Sequence, residues 1–385
     1  MTTANRLASV QEYYFSIKLK EVNEMVSQGC DIINMGIGSP DLTPPPEAVA
    51  ALNESMNDPN AHRYQAYRSL SELRVAMTEF YKLHFKVTLN PESEILPLMG
   101  SKEGIMHISM AFLNAGDHVL IPNPGYPTYE SVTRLMEAKP VHYDLEEFSG
   151  WIPDLVKLST LDLSKVKIMW INYPHMPSGT VVSSAKLFEL VSFVKQHNIL
   201  LINDNPYGLI LNDDPMSLLS IQGAMSCCLE LNSISKSFNM AGWRIGMVMG
   251  QQSFINDILK VKSNMDSGMF YGLQKGAIAA LNSTDNWVCS LNNTYRERRK
   301  IMWQFADALG ATYDKNSAGM FVWVKLSKGI DSVDFSNRIL EDYHIFATPG
   351  DVFGSQGKGY LRLSLCLEGS RIEQAIQRLN NKKMN

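Results

Sequence analysis

Ser233-Ile234-Ser235-Lys236-Ser237-Phe238-Asn239-Met240-Ala241-Gly242-Trp243-Arg244-Ile245-Gly246 sets one lysine among clustered hydroxyls, with an arginine eight positions later. A lysine amine condenses with an aldehyde. An arginine and two hydroxyls, here Arg244, Ser233 and Ser235, hold a phosphate through charge-assisted hydrogen bonds. The segment thus contains the parts of a site for a phosphorylated aldehyde. The competing reading is a solvated surface loop, and the rest of the chain decides between them.

Working outward, the chain of 385 residues is too long for one ordinary core and suggests two domains. Apolar residues make up 45% and charged residues 19%, a globular composition. Lys plus Arg (35) nearly balances Asp plus Glu (39), and the net charge of -4 removes the electrostatic case for nucleic acid. Five cysteines (30, 227, 228, 289 and 366) lack the spacing of a metal site or a disulfide framework, so free thiols and no metal are expected. Met1 to Val10 has no apolar core of the signal-peptide kind, and no apolar run approaches a membrane span of about 20 residues. A cytoplasmic protein is expected.

Short apolar runs, His118–Ile121, Lys167–Asn172, Ile199–Asn203, Cys227–Leu231 and Ile245–Gly250, alternate with helical patterns, which predicts an α/β fold with a largely parallel sheet. Leu7, Val10, Tyr14 and Ile17 predict an opening helix, followed by a strand at Ile32–Ile37. Ser69-Leu70-Ser71-Glu72 has the form of a capping box before a helix carrying Leu73, Met77, Phe80 and Tyr81 on one face. A long helix around Tyr295–Ala308, then strands at Met320–Leu326 and Tyr360–Leu365, predict a smaller α+β unit. The prolines at 44–46 mark the first boundary, giving a large domain of residues 46–282 and a small one of residues 1–45 with 283–385. In open parallel sheets, ligands bind beyond the carboxyl ends of the strands, which singles out Asn172, Asp204 and Ser233–Lys236.

The opening segment resembles the cofactor-lysine segment of the class I aminotransferases, fold-type I enzymes dependent on pyridoxal phosphate, and other motifs follow in that family's order. The resemblance implies that Lys236 carries the cofactor as a Schiff base and then moves a proton between substrate and cofactor carbons. Gly100-Ser101-Lys102, at a helix start, would hold the phosphate with Ser233, Ser235 and Arg244. Tyr126, in Asn123-Pro124-Gly125-Tyr126, would lie against the cofactor ring, and Asn172 beside it. Asp204 of Asp204-Asn205-Pro206-Tyr207 would pair with the ring nitrogen, keeping it protonated as the electron sink, while Tyr207 donates to the phenolic oxygen. Arg362, in Tyr360-Leu361-Arg362-Leu363-Ser364, would anchor the substrate carboxylate, with backbone help from Gly38 of Gly36-Ile37-Gly38-Ser39-Pro40-Asp41. Tyr64 corresponds to a residue that reaches the phosphate of a second subunit, which implies a homodimer with shared sites. Ser267-Gly268-Met269-Phe270 is most similar to the branch that includes diaminopimelate and alanine aminotransferases. The implied reaction moves an amino group from an L-amino acid to a 2-oxo acid.

The pattern breaks at Asn172-Tyr173-Pro174-His175-Met176-Pro177-Ser178-Gly179, where Met176 stands in place of the family's second asparagine. A thioether has no hydrogen to donate, so either His175 compensates or the site is altered. Two alternatives stay open on this evidence: a lyase using the same cofactor, and a cofactor-binding protein with weakened catalysis. Ser69 replaces a usual glycine, for which the capping box offers an explanation.

Overall fold

The computed structural model describes residues 2–383. Seven strands form one sheet in the order Ile95–Leu98, Gly246–Gly250, Cys228–Ser233, Leu200–Asp204, Val166–Ile171, His118–Asn123, Lys139–Asp144. Successive residues of a strand face opposite ways. Leu96, Val119, Ile168, Trp170, Ile202, Leu229 and Val248 therefore join one apolar cluster, while Ile95, Leu120, Met169, Ile171, Leu201, Cys228 and Met247 join another. Helices Ser101–Phe112, Thr128–Leu135 and Gln252–Lys262 contribute Ile105, Ile108, Tyr129, Val132, Ile255 and Ile258 to the first cluster. Helices Ser71–Phe85, Ser184–His197 and Tyr271–Asn282 contribute Leu73, Met77, Leu187, Leu190 and Ala277 to the second. Burial on both faces is why these strands read as apolar runs rather than alternating patterns.

The sheet is mostly parallel, as the sequence predicts, but Gly246–Gly250 runs antiparallel to both of its neighbours. Two strands escape the sequence reading. Ile95–Leu98 is only four residues long and contains Pro97, and Lys139–Asp144 lies at the sheet edge, where only Tyr143 is buried. The predicted strand at 32–37 shrinks to Ile33–Asn34, paired with Ile345–Phe346. The Asn34 side chain ends it by accepting from the amides of Gly36 and Ile37 at 3.1 and 3.2 Å.

A second sheet of four antiparallel strands follows the order Thr348–Pro349, Tyr360–Ser364, Phe321–Lys325, Thr312–Tyr313. Helix Thr284–Ala308 is longer than its sequence pattern suggests. Its polar first half is tied down by buried Asn292, which bonds the backbone of Leu209 and Leu211. The predicted opening helix divides into a 3-10 turn, Asn5–Ser9, and a helix, Tyr14–Ser27, whose Val22 packs with Leu340 and Phe346.

The capping box does not form. Ser69 adopts φ 63, a left-handed conformation, so it cannot be the extended residue an N-cap requires. Leu70 takes that place without a side-chain cap, its amide donates to the Gln274 side chain at 2.7 Å, and the Ser69 hydroxyl is buried with no partner among the described residues.

Candidate active site

The carboxyl ends of the central strands open into a cavity of about 530 Å³. Lys236 enters it from the short helix Ile234–Ser237, directly after strand Cys228–Ser233. Its Nζ donates to the Gly38 carbonyl at 2.5 Å. Burial lowers its pKa, and the nearby charges of Arg362 and Arg244 push the same way, so the amine is biased toward its neutral, nucleophilic form.

One end of the cavity is built for an anion. Helix Ser101–Phe112 points its free amides there, and Gly100 before it adopts φ 91. The positive φ favours the glycine, and a Cβ at position 100 would lie 2.1 Å from the Arg244 guanidinium and displace it. Arg244 is held by a 2.9 Å bond to the Ala241 carbonyl, and Ser101, Ser233 and Ser235 line the same space. Lys102 is different: its ammonium sits over the Tyr13 ring, 4.6 Å from the centroid.

Deeper in, Asp204 ends strand Leu200–Asp204 with its carboxylate buried. Tyr129 donates to Oδ2 at 3.0 Å, while Oδ1 has no partner among the described residues. Burial raises the Asp204 pKa to about 7, with the Tyr129 hydrogen bond opposing. Asn172 donates to the Asp204 backbone carbonyl and accepts from the Met176 amide at 2.8 Å, so its side chain braces this wall. Tyr126 and Tyr207 also face the cavity, Tyr126 edge-on to Tyr129 at 5.6 Å.

Opposite lies Arg362, from strand Tyr360–Ser364. It is buried, donates to the Gly36 carbonyl at 2.8 Å, and its guanidinium is ringed by Phe321, Phe353 and Phe15 at 4.1, 4.8 and 5.2 Å. Among the described residues it has no carboxylate partner, and Nε is unbonded. A buried, unpaired guanidinium is costly unless a ligand supplies the anion.

Met176 also lines the cavity, and its Sδ accepts from Arg362 at 3.3 Å. Compensation by His175 is ruled out. Its ring nitrogens bond Ser178 Oγ at 2.7 Å and the Pro124 carbonyl at 3.1 Å, and burial lowers its pKa to about 4. Tyr64 lies outside the cavity at 90% exposure.

Sequence reasoning missed Tyr13 and Tyr129, which line the cavity. Tyr129, three residues after Tyr126 and behind a strand, carried a local signal. Tyr13 carried none, since only the fold brings it here.

These groups suit pyridoxal phosphate. The helix N-terminus with Arg244 would suit the phosphate, the unpartnered Asp204 oxygen a protonated ring nitrogen, and the Lys236 amine the aldehyde. Comparison with known proteins agrees with this fit. The family model for aminotransferase class I and II matches residues 30–379. LL-diaminopimelate aminotransferase of Aquifex aeolicus is 36% identical, over 99% of each chain. That of Natranaerobius thermophilus is 38% identical, over 98% of this chain and 99% of its own. Among solved structures, apo-BacF from Bacillus subtilis superposes with a TM-score of 0.95 at 35% identity, covering 99% of this chain and 98% of its own. An aminotransferase from Staphylococcus aureus gives 0.90 at 28% identity, over 98% of each chain.

Proposed function

The chain belongs to the class I and II aminotransferases, and on that premise we propose which residues carry out the transfer of an amino group from an L-amino acid to a 2-oxo acid. Pyridoxal phosphate is the cofactor, and when bound it supplies the aldehyde and the electron-withdrawing ring. Lys236 holds the aldehyde. Freed by an incoming amino acid, the amine would take the proton from the substrate's α-carbon and deliver it to the cofactor carbon that had been the aldehyde, serving as base and then as acid. Asp204 keeps the ring nitrogen protonated, and Tyr207 donates its hydroxyl to the phenolic oxygen. Gly100, Ser101, Lys102, Ser233, Ser235 and Arg244 form the phosphate end, with Tyr126 and Asn172 beside the ring. Arg362, assisted by Gly38, grips the α-carboxylate.

One observation carries this assignment. A half-buried amine, a buried carboxylate with an open oxygen and a buried guanidinium with no carboxylate partner among the described residues face one cavity. Purified protein loaded with cofactor is expected to be yellow and to transaminate, and Lys236→Ala should lose both properties. A donor screen that includes LL-diaminopimelate and alanine, with 2-oxoglutarate and pyruvate as acceptors, reads out the substrates. Ammonia released without any acceptor would overturn transfer in favour of elimination.

The proposal extends to a homodimer with shared sites, in which Tyr64 reaches the partner's phosphate end. A Cβ on Gly268 would sit 2.4 Å from the Gln65 carbonyl, so exposed Tyr64 and Tyr67 and exposed Met265 and Phe270 share one surface. Such a patch is what a subunit interface would cover. The division into residues 46–282 and residues 1–45 with 283–385 is supported by the sheets, since all seven strands of the larger one fall within 46–282. Five unpaired cysteines favour a reducing compartment and hence the cytoplasm. Among the described residues no helix is long and apolar enough to cross a membrane.

A further inference from the structure

We propose that the ion pair between Asp41 and Arg298 is a positioning device that sets Lys236 and Arg362 in register with each other. The inference rests on the functional reading above. The amine and the guanidinium come from distant parts of the chain, yet both lean on one short irregular segment. Lys236 donates to the Gly38 carbonyl at 2.5 Å and Arg362 to the Gly36 carbonyl at 2.8 Å. A shift of these two residues therefore moves both reacting groups.

The segment has little regular structure to hold it, because its strand ends at Asn34. Two aromatic rings press on it: a Cβ at Gly36 would lie 2.4 Å from the Phe346 ring, and one at Gly38 would lie 2.3 Å from the Phe321 ring. Hydrogen bonds hold its start, the Ser364 amide donating to the Met35 carbonyl at 2.7 Å and the Thr348 hydroxyl to the Gly36 carbonyl at 2.8 Å, but beyond Gly36 the rings limit motion only toward themselves and do not fix sliding along the chain. Asp41 supplies that restraint. Its two oxygens accept from Arg298 at 2.7 and 2.8 Å, a bidentate geometry that fixes orientation as well as distance. Arg298 is itself buried, on the long helix Thr284–Ala308, and its Nη1 also donates to the Leu365 carbonyl at 3.0 Å. Leu365 directly follows the strand that carries Arg362. A single guanidinium thus ties the segment bearing Gly36 and Gly38 to the strand bearing Arg362. Neither Asp41 nor Arg298 lines the cavity, so the pair acts through the groups it places.

The test uses cofactor-loaded protein carrying Asp41→Asn, which keeps the shape and removes the charge. kcat should fall and KM for the amino donor should rise, each by about tenfold. Binding of a 2-methyl amino acid, which has no α-proton to lose, should weaken by a similar factor when followed by the cofactor's absorbance. That readout separates positioning from mere support of the fold, because it needs no turnover and is normalised to bound cofactor. If Asp41→Asn does not fold, Arg298→Lys keeps the charge without the two-pronged geometry and should show the same split. Values within twofold of wild type, or a loss that vanishes once rates are divided by the cofactor-loaded fraction, would overturn the proposal. Wild-type protein that does not transaminate would instead overturn the functional reading on which it rests.

Discussion

Met176 places a sulfur where the cavity calls for a group that both donates and accepts. Its Sδ is a weak acceptor for Arg362, and it offers no donor toward a cofactor oxygen. Met176→Asn supplies both. A hydrogen bond to a charged group contributes roughly 1.5–3 kcal/mol, so kcat/KM with the best amino donor should rise about 10- to 100-fold. Steady-state kinetics of the two proteins checks this, and an unchanged value would mean the thioether is fully accommodated. Asp204 gives a second prediction at this scale. Its folded pKa, raised to about 7, lies above the unfolded value, so the folded apoprotein holds a proton that the unfolded chain has already lost. The corresponding stability is complete at low pH and is lost as pH rises through 7. The cofactor-free protein should lose about 1 kcal/mol between pH 6 and pH 8 on account of this group. Asp204→Asn should flatten that part of the profile, as read by urea unfolding at the two pH values.

Helix Ser71–Phe85 shows how an element can form for a reason other than the apparent one. The Ser-x-x-Glu pattern and the apolar face at Leu73, Met77, Phe80 and Tyr81 both predict a helix there, and the face is buried as expected. The capping contact, however, depends on a backbone angle that composition does not encode. With φ 63, Ser69 bears strain that glycine would not, and its buried hydroxyl has no partner among the described residues. Ser69→Gly should therefore stabilise the protein by about 1 kcal/mol, measured as a shift in the denaturant midpoint at constant m-value. Elements whose burial is uniform were legible for the same reason that the helix face was. Val166–Ile171 and Leu200–Asp204 are apolar because both sides are covered, and the polar residues that follow them mark the site. Lys139–Asp144 was not legible, since an edge strand needs no apolar run. Lys236, Arg244 and Asp204 could be read from local motifs. Tyr13 and the pairing of Asp41 with Arg298 could not, because each depends on contacts between segments far apart in sequence.

At the scale of the whole molecule, the sheets and the helices around them shape one cavity lined by every assigned group except Gly100, which precedes the lining residue Ser101, and Tyr64. Its 90% exposure is the feature that the proposed dimer explains. If Tyr64 serves the partner's phosphate end, Lys236→Ala and Tyr64→Ala disable different halves of each shared site. Unfolding and refolding the two inactive variants together should restore up to about a quarter of wild-type activity, since half of the dimers are mixed and each has one intact site. No recovery, with mixed dimers verified by mass, would remove Tyr64 from the site. The caged guanidinium of Arg362 has a practical consequence. Ringed by phenylalanines and lacking an acidic neighbour, it will accept whatever small carboxylate the solution offers. Acetate, citrate or formate buffers should then act as competitive inhibitors, so apparent Michaelis constants measured in them will depend on buffer strength, whereas those taken in chloride or zwitterionic buffers will not.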